Sequence, residues 1–163
     1  MRRNKLTSLA MLAVALTVMA CNGNTVYHQY EHTPVEGWER TDTLYYTVEN
    51  IKATADYQEE IGLRINGSYP FTSLFLVVEQ HIRPRIQNLA SINETLRKDT
   101  INCKLVDQEG NIKGRGVNYY QYNFMLTMLH LNVGDTLDIR IHHNMRREIL
   151  PGISEVGIRL ERQ

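Results

Sequence analysis

Two cysteines in 163 residues, Cys21 and Cys103, are too few for a disulfide-stapled scaffold, so this chain has to stand on an apolar core. No excess of positive charge exists either: 18 basic residues face 18 acidic ones. Without a basic surface, binding to nucleic-acid phosphates has no electrostatic footing. Neither a Gly-x-Ser-x-Gly elbow nor a Gly-x-x-x-x-Gly-Lys phosphate loop occurs. The histidine pairs do not make a metal centre. His142 and His143 are neighbours on a strand-like stretch and so point to opposite faces, while His28 and His32 lack a helix to align them. Glu59 and Glu60 fail as paired carboxylates for the same reason. No catalytic, cofactor-binding or metal residue is predicted, and an enzyme is not expected.

What is present begins at the N-terminus. Arg2, Arg3 and Lys5 precede an apolar run over residues 6–20, which closes on Val18-Met19-Ala20-Cys21. A basic head, a short apolar run and a small residue before the cut are the marks of an export signal. The run is shorter than the roughly 18–20 residues that span a bilayer. A cysteine directly after the small residue is similar to a bacterial lipobox, where the thiol is diacylated and the chain is cut before it. The expected division is therefore a signal peptide over 1–20, a lipidated tether over 21–37 and a folded domain over 38–163. Loss of the three basic residues of the leader leaves 15 basic against 18 acidic, a net charge of −3. Cys103 would then be the remaining thiol, and its alternation with Ile101 and Leu105 predicts a buried one.

Along the domain, β-forming stretches recur between turn signals. Residues 42–49 are rich in Tyr, Thr and Val, and Ile61, Leu63 and Ile65 alternate on one face before Asn66-Gly67. The run 72–82 is nearly continuous in apolar residues at its centre, as an interior strand requires. Further strands are expected over 96–106, 119–131, 136–142 and 153–160. Residues 26–30 could add a short strand inside the tether, 86–94 reads as a loop or short helix, and 123–131 is the one serious helix candidate. About eight strands with no sustained 3.6-residue period predict an all-β fold, an antiparallel, jelly-roll-like β-sandwich.

The C-terminal part carries the most specific character. Met145-Arg146-Arg147 leads into an apolar hook at Leu150-Pro-Gly-Ile153. Trp38, Met145, Arg146 and Leu150 are the predicted centre of a protein-docking surface, with an apolar middle and a polar rim. The competing reading makes Met145 and Leu150 a plug at the end of the sandwich.

Several positions together resemble the GldH family of gliding-motility lipoproteins from Bacteroidetes-type bacteria. They are Cys21, Trp38 with Asp42, Arg64 with Asn66, Tyr69-Pro70 before Ser73-Leu74, and Asp99-Thr100. Gly110, Gly114 and Gly116 follow, then Met145-Arg146, Leu150 to Ile153 and Val156-Gly157. Ile65 between Arg64 and Asn66, and Asn102-Cys103 after Asp99-Thr100, depart from the pattern and mark a divergent member. The resemblance implies a lipid-anchored accessory component of surface motility or its secretion apparatus, with other cell-envelope proteins as partners. It implies no catalytic residues.

Asp-Thr followed by an aliphatic residue occurs at Thr43, Thr100 and Thr136. This is similar to the O-glycosylation acceptor of Bacteroidetes exported proteins, although Asp-Thr also simply opens strands. The rival function is a glycan-binding lipoprotein of a nutrient-uptake system, with Tyr119, Tyr120 and Tyr122 as stacking faces.

Overall fold

The computed structural model describes residues 23–85 and 94–163. Among the described residues ten strands run in chain order: β1 (Thr25–His32), β2 (Trp38–Glu39), β3 (Leu44–Val48), β4 (Ala55–Asn66) and β5 (Ser73–Arg83) come first. Then follow β6 (Thr95–Lys104), β7 (Tyr119–Leu131), β8 (Thr136–His143), β9 (Ile149–Leu150) and β10 (Ile153–Arg162). One sheet has the order β1-β10-β4-β7, the second β3-β8-β5-β6, and β2 pairs with β9 in a small sheet of its own. All pairings are antiparallel. With β2 and β9 set aside, eight strands remain, the first paired with the last, in the strand order of a jelly roll. The expectation of an all-β, jelly-roll-like sandwich holds, and the extra pair is the small sheet.

Period-two alternation builds the core. Ile61, Leu63 and Ile65 of β4, with Val156, Ile158 and Leu160 of β10 beside them in the same sheet, face Leu74, Leu76 and Val78 of β5 and Leu137, Ile139 and Ile141 of β8 in the other. A hydroxyl ties the two sheets together: Tyr46 of β3 donates to the Val156 carbonyl of β10 at 2.7 Å.

Two expectations change. The helix candidate 123–131 is the second half of β7. Tyr122 and Leu129 are both buried although they lie an odd number of residues apart, which a regular strand forbids. A bulge opposite Glu59 and Glu60 supplies the missing residue and so blurs the alternation that would have marked a strand. The second change concerns the tether over 21–37. Residues 25–32 of it form edge strand β1 on β10. Tyr30 explains the attachment. Its ring lies over Gly157 and Gly62, which face each other across β10 and β4; a Cβ on Gly62 would come within 2.2 Å of the tyrosine oxygen. The Arg64 guanidinium covers the ring at 4.5 Å, and Gln121 Nε2 donates to the hydroxyl at 2.5 Å. The stretch 86–94 lies almost wholly outside the described residues.

Register fixes two poles. The start of β1, the start of β4 and the end of β10 meet at the proximal pole, and β1 begins four positions after Cys21 in the sequence. The ends of β1, β4 and β8 and the starts of β5, β7 and β10 meet at the distal pole. Ten residues of β10 separate the poles by about 33 Å.

Candidate docking groove

The distal pole carries an open groove of about 660 Å³ lined by Phe71, Phe75, Asn144, Met145, Arg146 and Arg147. Each side chain has a local cause. Phe75 sits between Leu74 and Leu76 on β5, so alternation sends those two inward and the phenylalanine out. Phe71, in the turn before β5, packs edge-to-face against Tyr69 with ring centres 5.6 Å apart. Tyr69 is held in turn by donating to the Ser73 carbonyl at 2.8 Å. Both phenylalanines remain 37% exposed.

The chain leaving β8 forms the other wall. The Asn144 amide donates to the Phe75 carbonyl at 2.8 Å, which extends the β5–β8 ladder by one bond. The Phe75 amide N–H, in contrast, meets only the thioether of Met145, at 3.5 Å. Sulfur is a weak acceptor, so this donor is poorly satisfied. Arg146 and Arg147 are exposed and have no carboxylate within ion-pair distance among the described residues. The nearest acid in sequence, Glu148, is taken by Arg40 at 2.8 Å.

Below the groove lies the small sheet. Trp38 and Leu150 are cross-strand partners and fully buried, so they offer no surface to a partner; Trp38 connects to the groove wall through His143 and Met145. The Trp38 indole N–H donates to the Asp42 carbonyl at 3.1 Å, which gives that pair its structural meaning. His143, also buried, stacks edge-on against Trp38 and bonds its carbonyl through Nε2 at 3.1 Å. A carbonyl only accepts, so Nε2 carries the proton and Nδ1 is left to accept the Met145 amide, 3.4 Å away. Burial pushes the histidine pKa down and keeps that neutral form. Pro151-Gly152 turns the chain into β10, with Gly152 at φ 83°, a left-handed conformation in which a Cβ would lie 2.4 Å from the Tyr69 nitrogen.

Of the predicted surface set, then, Met145 and Arg146 line the groove while Trp38 and Leu150 are its foundation. Phe71, Phe75 and Arg147 were missing from that set. Alternation around Leu74 and Leu76 already placed Phe75 outward; nothing in the sequence linked it to Met145, seventy residues on. The other candidates scatter. Tyr122 is buried, Tyr120 and Phe124 pack against the core, and Tyr119 stands exposed at 53%. Thr100 is exposed on edge strand β6, whereas Thr43 and Thr136 are half-buried. Cys21 lies outside the described residues. Cys103 is buried, and burial pushes its thiol up to about 12.

Another buried ionisable group, Glu59, lies between the sheets. Gln80 Nε2 of β5 donates to one carboxyl oxygen of Glu59 of β4, while Glu59 Oε1 and Gln80 Oε1 have no partner. Burial pushes the Glu59 pKa up to about 8 against the opposing pull of the Gln80 bond and of Arg97, with Asp99 adding to the rise. At neutral pH the carboxyl is mostly protonated.

Among the described residues no cluster of three metal-ligating side chains occurs, and no helix is long and apolar enough to cross a membrane. Fold and site together define a jelly-roll domain that carries an apolar, arginine-rimmed groove at its distal pole. The chain belongs to the GldH lipoprotein family, whose profile matches residues 25–160. A curated relative, "Gliding motility lipoprotein GldH" of Flavobacterium johnsoniae, is 21% identical over 160 residues, 94% of each chain. This is a family of lipoproteins, not of enzymes. Solved structures are more distant. A family GH115 4-O-methyl-α-glucuronidase is similar at 12% identity and a TM-score of 0.43, over 85% of this chain and 18% of that one. A family 35 carbohydrate-binding module from Clostridium thermocellum reaches 9% identity and 0.27, over 80% of this chain and 97% of that one. Likeness at that level bears on neither activity nor ligand.

Proposed function

We propose that this protein is a non-enzymatic, lipid-anchored accessory subunit of the gliding-motility machinery or its associated secretion apparatus, and that it acts by docking other envelope proteins. Membership of the GldH lipoprotein family carries this reading. The fold supports it: the chain leaves Cys21 and enters the sandwich at the proximal pole, so an anchor there turns the distal groove away from the lipid. A periplasm-facing domain held in this way presents Phe71, Phe75, Met145, Arg146 and Arg147 to partners. In vivo crosslinking of the tagged, native lipoprotein followed by mass spectrometry tests it. Motility or secretion proteins are the expected partners; recovery of nutrient-uptake porins instead overturns the assignment.

The tyrosine stretch gives the glycan-binding rival little support, because Tyr120 and Tyr122 are turned toward the core. Of the three acceptor threonines, the exposed Thr100 is the best placed to carry an O-linked sugar. Intact mass of the purified protein reads both modifications at once: a diacylglyceryl increment on Cys21, and a hexose series that Thr100→Val removes.

A further inference from the structure

The groove has a volume, an apolar floor and a charge, and together they specify what can fill it. A space of about 660 Å³ takes a few side chains and not the face of a second sandwich. Phe71, Phe75 and Met145 require an apolar side chain as its centre. Arg146 and Arg147 lack intramolecular carboxylate partners among the described residues, and the neighbouring Glu148 is already neutralised by Arg40. The Phe75 N–H, held only by the Met145 sulfur, is a backbone donor ready to take a better acceptor. Methionine is flexible enough to move aside for it.

We infer that the groove binds a short peptide segment of a partner protein in which one apolar side chain is flanked by aspartate or glutamate. This names the partner chemistry of the docking surface proposed above and rests on that reading. The apolar side chain lies between the two phenylalanines and Met145. Carboxylates on either side meet Arg146 and Arg147, forming charge-assisted bonds that the free protein lacks. An oxygen of the segment, carbonyl or carboxylate, displaces the Met145 sulfur from the Phe75 amide. An acidic membrane surface is the weaker occupant, since the groove lies at the pole remote from the chain's entrance and offers two arginines where a polybasic patch carries more.

The test is selection of a displayed library of random nonapeptides on the detergent-solubilised, full-length lipoprotein, followed by fluorescence anisotropy of the enriched peptides. Enriched sequences are expected to share an apolar residue with at least two acidic neighbours. Their binding should weaken at least tenfold in Arg146→Glu/Arg147→Glu, with a similar direction and smaller size in the charge-neutral Arg146→Gln/Arg147→Gln, and should fall with added salt. Melting temperature of both variants checks that they fold. No enrichment, enrichment of basic or uncharged peptides, or affinity unchanged in both variants overturns the inference. So does binding confined to phosphatidylglycerol vesicles. If peptide selection fails while crosslinking still recovers motility proteins, docking stands and its surface lies elsewhere.

Discussion

The two poles of the sandwich are finished in opposite ways. At the proximal pole the turn after β7 is closed by its own bonds: the Ile51 amide donates to the Asp135 carbonyl at 3.0 Å, and Gly134 returns a bond to the Ile51 carbonyl at 2.8 Å. The Asp135 carboxylate accepts the Asn132 amide at 2.8 Å. Nearby, Arg83 pairs with Asp138 at 2.6 Å, and His130 Nδ1 lies 2.8 Å from the Asp56 carboxylate. At the distal pole Arg146 and Arg147 have no carboxylate partner among the described residues, a backbone N–H rests on sulfur, and two phenylalanines are partly in water. The proximal turn is held by backbone bonds, whereas the distal groove leaves a backbone donor resting on sulfur. Folding alone gives no reason to leave Phe71, Phe75 and the arginines together in solvent, whereas a surface that is covered by another protein does.

The comparison can be broken at the base of the distal pole, where the largest effect is expected. Trp38→Ala removes a fully buried indole and its bond to Asp42, and should cost about 3–5 kcal/mol in urea unfolding. A loss under about 1 kcal/mol would mean that the small sheet is an ornament and not the groove's foundation.

A pH effect of intermediate size belongs to the interior, which neither pole governs. Folding raises the Glu59 pKa from 4.5 to about 8, so the folded state holds this proton more tightly than the unfolded one. The stability it contributes is complete below about pH 4.5 and is lost as pH rises through about 8. The loss is on the order of a few kcal/mol. A protonated Glu59 also offers the O–H that both orphaned oxygens lack. Glu59→Gln supplies an amide donor that never ionises, and should flatten the melting temperature between pH 5 and 8. An unchanged pH profile would assign the effect to another group.

The smallest effect sharpens the contrast. Arg146→Glu/Arg147→Glu should leave unfolding free energy within about 0.5 kcal/mol of the parent, since exposed side chains without partners hold nothing in place. The same charge reversal at the proximal Arg83, which pairs with Asp138, should cost more.

Legibility in the sequence followed the length of the contacts involved. Strands β4, β5, β8 and β10 were readable because their alternation is a local property of each run. Strand β1 was readable only as a short stretch at 26–30 inside a tether, because neither face of it is deeply buried and its hold depends on Tyr30 meeting Gly62 and Gly157, far along the chain. Half of the predicted surface set proved to be foundation for a related reason. Trp38 and Leu150 are as apolar as an exposed anchor, and only their pairing in the β2–β9 sheet sends them inward. The residues carrying the family resemblance divide along the same line: Trp38, Asn66 and Gly152 hold turns and packing, while Met145 and Arg146 line the groove.

Cys103 has a practical consequence. Packed between the sheets with its proton firmly held, it will ignore maleimides and mild oxidants at neutral pH. In the lipid-anchored form proposed above, where Cys21 carries the lipid, a cysteine introduced at the rim of the groove becomes the single addressable thiol of the protein. A spectroscopic or photoreactive reporter can then watch that rim in the living envelope without a background to subtract.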